Sequence, residues 1–238
     1  MRILIVRHGD PDYEKDSLTE KGFREAELLV PRLSKLDVKA FYCSPLGRAK
    51  ATAEPTLKAM GREAETLEWL REFRGFVLQG LKPVNCWDRL PSVWCFDDRY
   101  YDASSWCDTK LMRSGNVKRE YKYVCRELDK LLEAHGYRHN GRVYDVVEPN
   151  HDTIVLFCHF GVESVILSHI LSVSPMPLWH NFVALPTSVT TLITEEREEG
   201  IASFRIQQYG DISHLYAGGE EPAFAARFCE CFSDDTRH

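Results

Sequence analysis

The chain has 238 residues, which suits one compact domain, alone or with a large insertion, that buries its core without needing disulfides or a structural metal. With 44% hydrophobic and 28% charged residues, the composition is that of a globular protein and argues against disorder. The net charge of −6 argues against nucleic acid as a partner, because such binders carry a basic face, but a few local arginines could still bind a small anion.

The cysteines point to a reduced protein. None of the eight forms a C-x-x-C pair, and Cys229 and Cys231 are too close together for an unstrained disulfide. We therefore expect free thiols and no metal site. No signal peptide and no run of roughly 20 apolar residues is found, so we expect a cytoplasmic protein with no membrane partner. The sequence leaves a homodimer open.

Apolar runs alternate with helical patterns along most of the chain. The run from Ile3 to Val6 predicts a buried strand, and a helix is expected over 18–36 with Thr19 as its N-cap. A strand over 40–44 precedes a helix over 44–60. The later predicted elements are strands at 153–159, 188–195 and 202–209 and a helix over 161–172.

This alternation indicates the fold class. Continuous apolar strands separated by helices are typical of a mostly parallel sheet that is covered on both faces. The second helix also has a favoured start, with Ser44 as the expected cap and Pro45 as the first helical residue. We therefore expect an α/β fold, a three-layer α/β/α sandwich with a sheet of about six strands.

The segment 76–150 interrupts the pattern. It contains a long helix candidate, 114–135, and a predicted hairpin over 137–147 around Asn140-Gly141. We expect a single domain, 1–238, in which 76–150 is an insertion or cap beside the sheet. Its tryptophans are expected to pack or to line a substrate cage, and the basic hairpin tip to be solvated or to contact a substrate or partner: Trp87, Trp94, Trp106, Arg138, His139 and Arg142.

Unusual polar residues come directly after three of the predicted strands. Arg7-His8-Gly9 follows the first, Arg48 lies in the first turn after the second, and His159-Phe160-Gly161 follows the third. In a parallel sheet these places are all carboxyl ends of strands, where open α/β sheets bind ligands. Two helix starts lie there as well, and their free N–H groups attract anions. The pattern indicates a phosphate site.

The same residue types suggest phosphoryl transfer. A histidine nitrogen can attack phosphorus and form a phosphohistidine, and forked arginines match the equatorial oxygens. With these cationic donors and no acidic metal cluster in the sequence, we expect no Mg²⁺ and no cofactor. The leaving alkoxide needs a proton, for which Glu72 is the first candidate and Glu68 and Glu65 are alternatives.

The ordered motifs resemble the histidine phosphatase superfamily, the phosphoglycerate-mutase-like fold, in its branch 1. They are "RHG" after the first strand, "CSPLGRAKATAEPT" after the second, a glutamate in "LREFRG" and "FCHFG" at the end of the strand predicted at 153–159. "LTEKGFREAELL", "LPTSVTTL" and "GDISHL" also look like family segments. The resemblance covers most of the core but not 76–150.

The resemblance implies a role for each matching residue. His8 would be the phosphorylated nucleophile, while Arg7, Arg48 and His159 would hold the phosphoryl oxygens. Glu72 would protonate the leaving group and then activate water. Further phosphate or substrate contacts are expected from Asp10, Ser17 and the backbone at Gly161.

Two departures bear on function. The family usually has His-Gly-Gly where this chain has His159-Phe160-Gly161, so Phe160 is expected to crowd the pocket rim. The longer entry segment of true phosphoglycerate mutases is absent. We therefore expect a metal-independent phosphomonoesterase acting on a small phosphorylated metabolite, with the crevice bordered by the 76–150 cap. A phosphomutase of the same fold, or a non-catalytic binding protein, is the alternative.

Overall fold

The computed structural model describes residues 1–225 and 227–234. The first nine strands are β1 (Arg2–Arg7), β2 (Pro11–Asp12), β3 (Ser17–Leu18), β4 (Ala40–Cys43), β5 (Glu65–Thr66), β6 (Phe76–Gln79), β7 (Lys82–Asn85), β8 (Tyr137–Asn140) and β9 (Val143–Val146). They are followed by β10 (Thr153–Cys158), β11 (Val189–Glu198) and β12 (Ile201–Asp211).

The α-helices are α1 (Glu20–Leu33), α2 (Gly47–Met60), α3 (Pro91–Trp94), α4 (Val117–Ala134), α5 (Phe160–Leu171), α6 (Pro175–Asn181) and α7 (Ser213–Ala217). Short 3₁₀ helices span 68–70, 98–101, 106–108 and 112–114. Thr19 caps α1 as predicted, because its hydroxyl accepts a hydrogen bond from the Gly22 amide at 3.0 Å. The strands predicted from apolar runs form at their expected places.

An eight-stranded sheet in the order β5-β4-β10-β1-β11-β12-β9-β8 organises the chain. Strands β5, β4, β10 and β1 are parallel, whereas β11, β12, β9 and β8 continue the sheet by antiparallel pairs. The α/β class is confirmed. The strand count differs from the predicted six, and the sheet is parallel in one half only, because hairpins and not helical crossovers connect most of the other strands.

Side chains of the parallel strands alternate between two cores. Ile3 and Ile5 belong to the cluster that includes α4, α5 and α6, while Leu4 and Val6 pack in the cluster with α1 and α2. Helices therefore cover both faces of β1, which gives the predicted three layers. Burial on both faces fixes β1 firmly and determines where its carboxyl end lies.

The segment 76–150 is divided between several places. Strands β6 and β7 form a separate hairpin, and α4 packs against α5. The predicted hairpin forms as β8–β9, with Gly141 at a positive φ of 68°, but β9 pairs with β12. It thus extends the sheet and does not lie beside it. Trp94 and Trp106 are buried in the core, as expected for packing residues.

The start of α2 differs from the prediction. The helix begins at Gly47, and Leu46 is its N-cap without a side-chain hydrogen bond. Ser44 and Pro45 therefore lie in the preceding loop, and the Ser44 hydroxyl has another partner, described below. All eight cysteines are free thiols, as predicted. No helix among the described residues is long and apolar enough to span a membrane.

Candidate active site

Three parallel strands bring the predicted site residues to one edge of the sheet. Strand β10 lies between β4 and β1, and Arg7 pairs with Cys158 across β1 and β10. His8 and His159 directly follow the last residues of these two strands, so they lie side by side. Their ring centroids are 5.0 Å apart, and both side chains are buried. The expected meeting of strand ends is observed for these residues.

The imidazole of His8 is fixed in one tautomer. Its Nδ1 lies 2.7 Å from the carbonyl oxygen of Gly9, which can only accept, so Nδ1 carries the proton and Nε2 keeps a free lone pair. Burial, and next the positive charge of Arg7, lower the pKa of His8 well below its usual value. The ring is therefore neutral at physiological pH and can act as a nucleophile at Nε2.

His159 is oriented by Ser44, which was expected from the sequence to cap α2. Its Nε2 lies 2.8 Å from the hydroxyl of Ser44, and the imidazole is fully buried. Burial, electrostatic coupling to the neighbouring His8 ring and the charge of Arg48 lower the pKa of His159 well below its usual value. When Ser44 donates to Nε2, the other ring nitrogen, Nδ1, carries a proton and is available as a donor.

Two arginines flank the histidines, each held at one terminal nitrogen. Nη1 of Arg7 donates to the carbonyl oxygens of Ala184 and, at 3.1 Å, of Ala225. Nη1 of Arg48 donates to Oδ1 of Asp16 at 2.7 Å, and the other oxygen of that carboxylate accepts from the amide of Gly47. Asp16 was not predicted as a site residue; no motif marks it, because its contact is made across a loop.

Three buried nitrogen atoms of these side chains have no hydrogen-bond partner among the described residues. They are Nε of Arg7, Nε of Arg48 and Nδ1 of His159. A buried N–H without a partner carries a desolvation cost of about 1–3 kcal/mol, so such groups are normally satisfied. The charges of Arg7 and Arg48 act on His8, and the His159 ring lies 5.0 Å from that of His8, so these residues lie near one another, as a site for a multiply hydrogen-bonded anion requires.

Glu72 is the one of the three candidate acids that belongs to this site. Its Oε1 accepts from the amide of Phe73 at 2.8 Å, and a Cβ added to Gly161 would lie 2.5 Å from the same oxygen. Burial raises the pKa of Glu72, although the Phe73 amide and the charge of Arg7 oppose the shift. Glu68 is exposed and ion-paired to Arg71, and Glu65 is exposed on the edge strand β5.

Close packing against Glu72 explains why residue 161 is a glycine, which the sequence alone could not show. Any side chain there would displace the carboxylate of Glu72. The neighbouring Phe160 is 8% exposed, so its ring lies largely inside the protein and not at an open rim. Gly9 likewise permits a close approach, because an added Cβ would lie 2.8 Å from the carbonyl oxygen of Gly22 in α1.

The structure gives Asp10 a structural contact. Its carboxylate accepts from the hydroxyl of Thr19 at 2.8 Å, and its amide donates to Glu25, so it anchors the start of α1. Ser17 lies on β3 opposite Asp12. Neither residue is in contact with the histidines or arginines described above through any hydrogen bond of the described chain.

A family model decides the classification. The histidine phosphatase superfamily (branch 1) matches residues 3–207. The chain belongs to this superfamily. The predicted resemblance is thereby confirmed, together with the prediction of an enzyme of the phosphatase type.

Individual relatives support the assignment of this chain to the histidine phosphatase superfamily. A protein of Schizosaccharomyces pombe named as a probable phosphatase is 23% identical over 230 residues, 90% of this chain and 95% of that protein. A 2,3-bisphosphoglycerate-dependent phosphoglycerate mutase of Thermoplasma acidophilum is 33% identical over 79 residues, 29% of this chain and 40% of that protein.

Solved structures share the fold. Phosphoserine phosphatase of Entamoeba histolytica, in complex with 3-phosphoglyceric acid, has a TM-score of 0.61 at 17% identity, covering 90% of this chain and 98% of its own. A mycobacterial glucosyl-3-phosphoglycerate phosphatase with inorganic phosphate has a TM-score of 0.59 at 22% identity, covering 90% and 98%. At these identities the likeness shows the common architecture.

The histidine phosphatase also buries a carboxyl group beneath the site. Glu163, in the first turn of α5, is 1% exposed and accepts a hydrogen bond of 2.5 Å from the Thr190 hydroxyl. Burial raises its pKa from 4.5 to about 7, against the opposing charge of Arg7. Between these two pH values the folded protein binds more protons than the unfolded chain, so stability falls as pH rises through this window.

We expect Glu163→Gln to stabilise the protein at high pH. The amide keeps an acceptor for Thr190 but carries no charge, and the difference between 4.5 and 7 corresponds to about 3 kcal/mol. Urea unfolding at about pH 8 should show a gain of that order over the wild type, and at about pH 4 little gain. An equal effect at both pH values would mean that Glu163 does not titrate as described.

Proposed function

We propose that this protein is a metal-independent phosphomonoesterase that hydrolyses a small phosphorylated metabolite through a phosphohistidine on His8. The observation that carries the proposal is the group of three partnerless buried nitrogen atoms, on Arg7, Arg48 and His159, beside the free Nε2 of His8. A phosphoryl group offers three equatorial oxygens, which match these three donors in number, and two of the donors belong to cationic guanidinium groups.

The first half of the reaction is phosphoryl transfer to the enzyme. Nε2 of His8 attacks phosphorus while the bond to the substrate oxygen breaks, and the donors on Arg7, Arg48 and His159 stabilise the equatorial charge. The tautomer is set by Gly9, so the ring need not lose a proton before it attacks. The two guanidinium groups, with the neutral His159 as a further donor, take the place that a divalent metal has in other phosphoryl-transfer sites.

Glu72 would act as the general acid in the first half of the reaction and as the general base in the second. Its raised pKa favours a protonated carboxyl, which can deliver a proton to the leaving oxygen. The resulting carboxylate then takes a proton from water as the water attacks the phosphohistidine, which releases inorganic phosphate and restores the acid. The charges of Arg7 and Arg48 act on Glu72, which indicates that it lies close to the transferred group.

A phosphomutase is the second candidate. The partial match to a phosphoglycerate mutase, 33% identity over 79 residues, is the observation that favours it. A mutase would retain its product and return the phosphoryl group to it before water attacks. Because this chain lacks the mutase entry segment, we favour hydrolysis.

The test is turnover in excess EDTA. With p-nitrophenyl phosphate, phosphoserine and 3-phosphoglycerate as trial substrates, we expect release of inorganic phosphate at the same rate with EDTA as with Mg²⁺. Rapid quenching should reveal an acid-labile phosphoenzyme, as phosphohistidine is. A strict requirement for added metal would contradict the proposal, and transfer to an acceptor faster than hydrolysis would favour the mutase.

Specificity is proposed to come from residues around this pocket. The ring of Tyr13 is 67% exposed and lies under the guanidinium of Arg48, with 5.4 Å from Cζ to the ring centroid. The charge of Arg71 acts on His159, so its guanidinium is also near the site. The cytoplasmic location, the absence of nucleic-acid and membrane partners, the cap role of 76–150 and a homodimer stay predictions.

A further inference from the structure

A second cluster of polar side chains lies away from the active site. Asp129 of α4, His139 of β8 and His169 of α5 converge from three separate elements. Oδ1 of Asp129 is 2.7 Å from Nε2 of His169 and 3.4 Å from Nδ1 of His139. The rings of the two histidines are 4.6 Å apart between centroids. Among the residues that the structure describes, this is the one group of three such side chains close enough to share a metal ion.

The donor set fits a zinc ion. Two imidazole nitrogens and one carboxylate oxygen are ligands that Zn²⁺ binds tetrahedrally at about 2.0–2.2 Å, which places neighbouring ligand atoms about 3.4 Å apart. All three ligand atoms lie within 4.8 Å of one another; the 3.4 Å separation of Asp129 and His139 equals that ideal value, and the 2.7 Å separation of Asp129 and His169 is shorter. Rotamer changes of around an ångström would therefore complete the geometry.

The environment also points to a ligand. The side chains of Asp129, His139 and His169 are 32%, 23% and 15% exposed, so one side of the cluster is open to solvent and to an entering ion. The inner side holds Tyr144, which is 1% exposed and whose hydroxyl has no hydrogen-bond partner. Its ring lies 5.2 Å from that of His139. Buried hydroxyls are normally hydrogen-bonded, so a partnerless one beside this cluster is a second sign of a group bound there.

The cluster is well separated from the phosphate site. His159 is the N-cap of α5 and His169 lies ten residues further along the same helix, which corresponds to about 15 Å. A cation there would connect α4, α5 and the outer hairpin β8–β9, which is attached to the rest of the sheet only through β12. Its expected effect is on stability and not on the chemical step.

We propose that Asp129, His139 and His169 form a structural Zn²⁺ site with water as the fourth ligand. The ion binds from solvent at the outer side of the cluster and joins the sheet edge to the helical layer. No sequence motif predicts this site, because the three residues are spread over 41 positions with no metal-binding spacing.

The test uses the full chain, stripped of metal with a chelator and then titrated with Zn²⁺ and with Co²⁺. We expect one tight equivalent and a rise in Tm of roughly 5–10 °C at 100 times the Kd. Bound Co²⁺ should give tetrahedral visible bands without the near-ultraviolet charge-transfer band of a thiolate, which separates this site from the free cysteines. His139→Ala and Asp129→Asn should each weaken binding by about 100-fold or more.

The matched control is His151→Ala, which removes an exposed histidine outside the cluster and should leave the affinity unchanged. Unaltered binding in His139→Ala, a thiolate band with Co²⁺, or no tight equivalent in the wild type would overturn the proposal. Because His139 lies on the outer hairpin, its variant is expected to fold, and circular dichroism checks this. Hydrolysis of p-nitrophenyl phosphate should be the same in the stripped and loaded protein, so this result and that of the phosphatase assay are independent.

Discussion

His8→Ala should abolish turnover, with a fall in kcat of about 10⁴-fold or more, because the nucleophile itself is removed. The remaining donors on Arg7, Arg48 and His159 are still in place and still bind a phosphoryl group. The variant should therefore keep its affinity for inorganic phosphate while losing both hydrolysis and the quenched phosphoenzyme.

Binding is the control that separates lost chemistry from a lost fold. Phosphate affinity by calorimetry, together with an unchanged thermal unfolding profile, would show that the pocket of His8→Ala is intact. Equal turnover by His8→Ala and the wild type would show that His8 is not the nucleophile. A phosphohistidine found on His159 in this variant would mean that His159, and not His8, is the nucleophile.

The sequence predicted the strand ends well, for a local reason. A strand and the turn directly after it are neighbours in the chain, so Arg7-His8 and His159 could be assigned to carboxyl ends from apolar runs alone. Their meeting then required only that β1, β4 and β10 be parallel and close, which the helices between them favoured. The pairing of β9 with β12 had no such signal in the sequence, because the alternation of side chains along a strand does not identify the strand that pairs with it.

Contacts between side chains distant in sequence were harder to predict. Ser44 precedes a helix and a proline, as a cap would, yet its hydroxyl is used to orient His159. Asp16 contacts Arg48 from a turn with a positive φ of 48°, a conformation that apolar periodicity does not report. Glu72 was the first candidate from the sequence, but only burial distinguishes it from Glu68, since both lie in one short amphipathic stretch.

Glu72→Gln should separate the two halves of the reaction, because the residue is proposed to act as an acid in the first and as a base in the second. An alkyl phosphate has a leaving group that needs a proton, so its kcat/KM should fall by about 10²–10⁴-fold. p-Nitrophenolate leaves without protonation, so the variant should still be phosphorylated by p-nitrophenyl phosphate at less than about a tenfold lower rate.

The second half of the reaction, hydrolysis of the phosphohistidine, gives a direct test of Glu72 as the base. Without a base to activate water, Glu72→Gln should accumulate the phosphohistidine, seen as a burst of one equivalent of p-nitrophenol followed by slow turnover. Glu68→Gln is the matched control, because this exposed glutamate lies four residues away and is paired with Arg71. If Glu68→Gln reproduced the burst, or if Glu72→Gln slowed both substrates equally without accumulating phosphoenzyme, the proton would have to come from another group. The raised pKa of Glu72 and its place against Gly161 would then reflect packing at the pocket wall and not proton transfer.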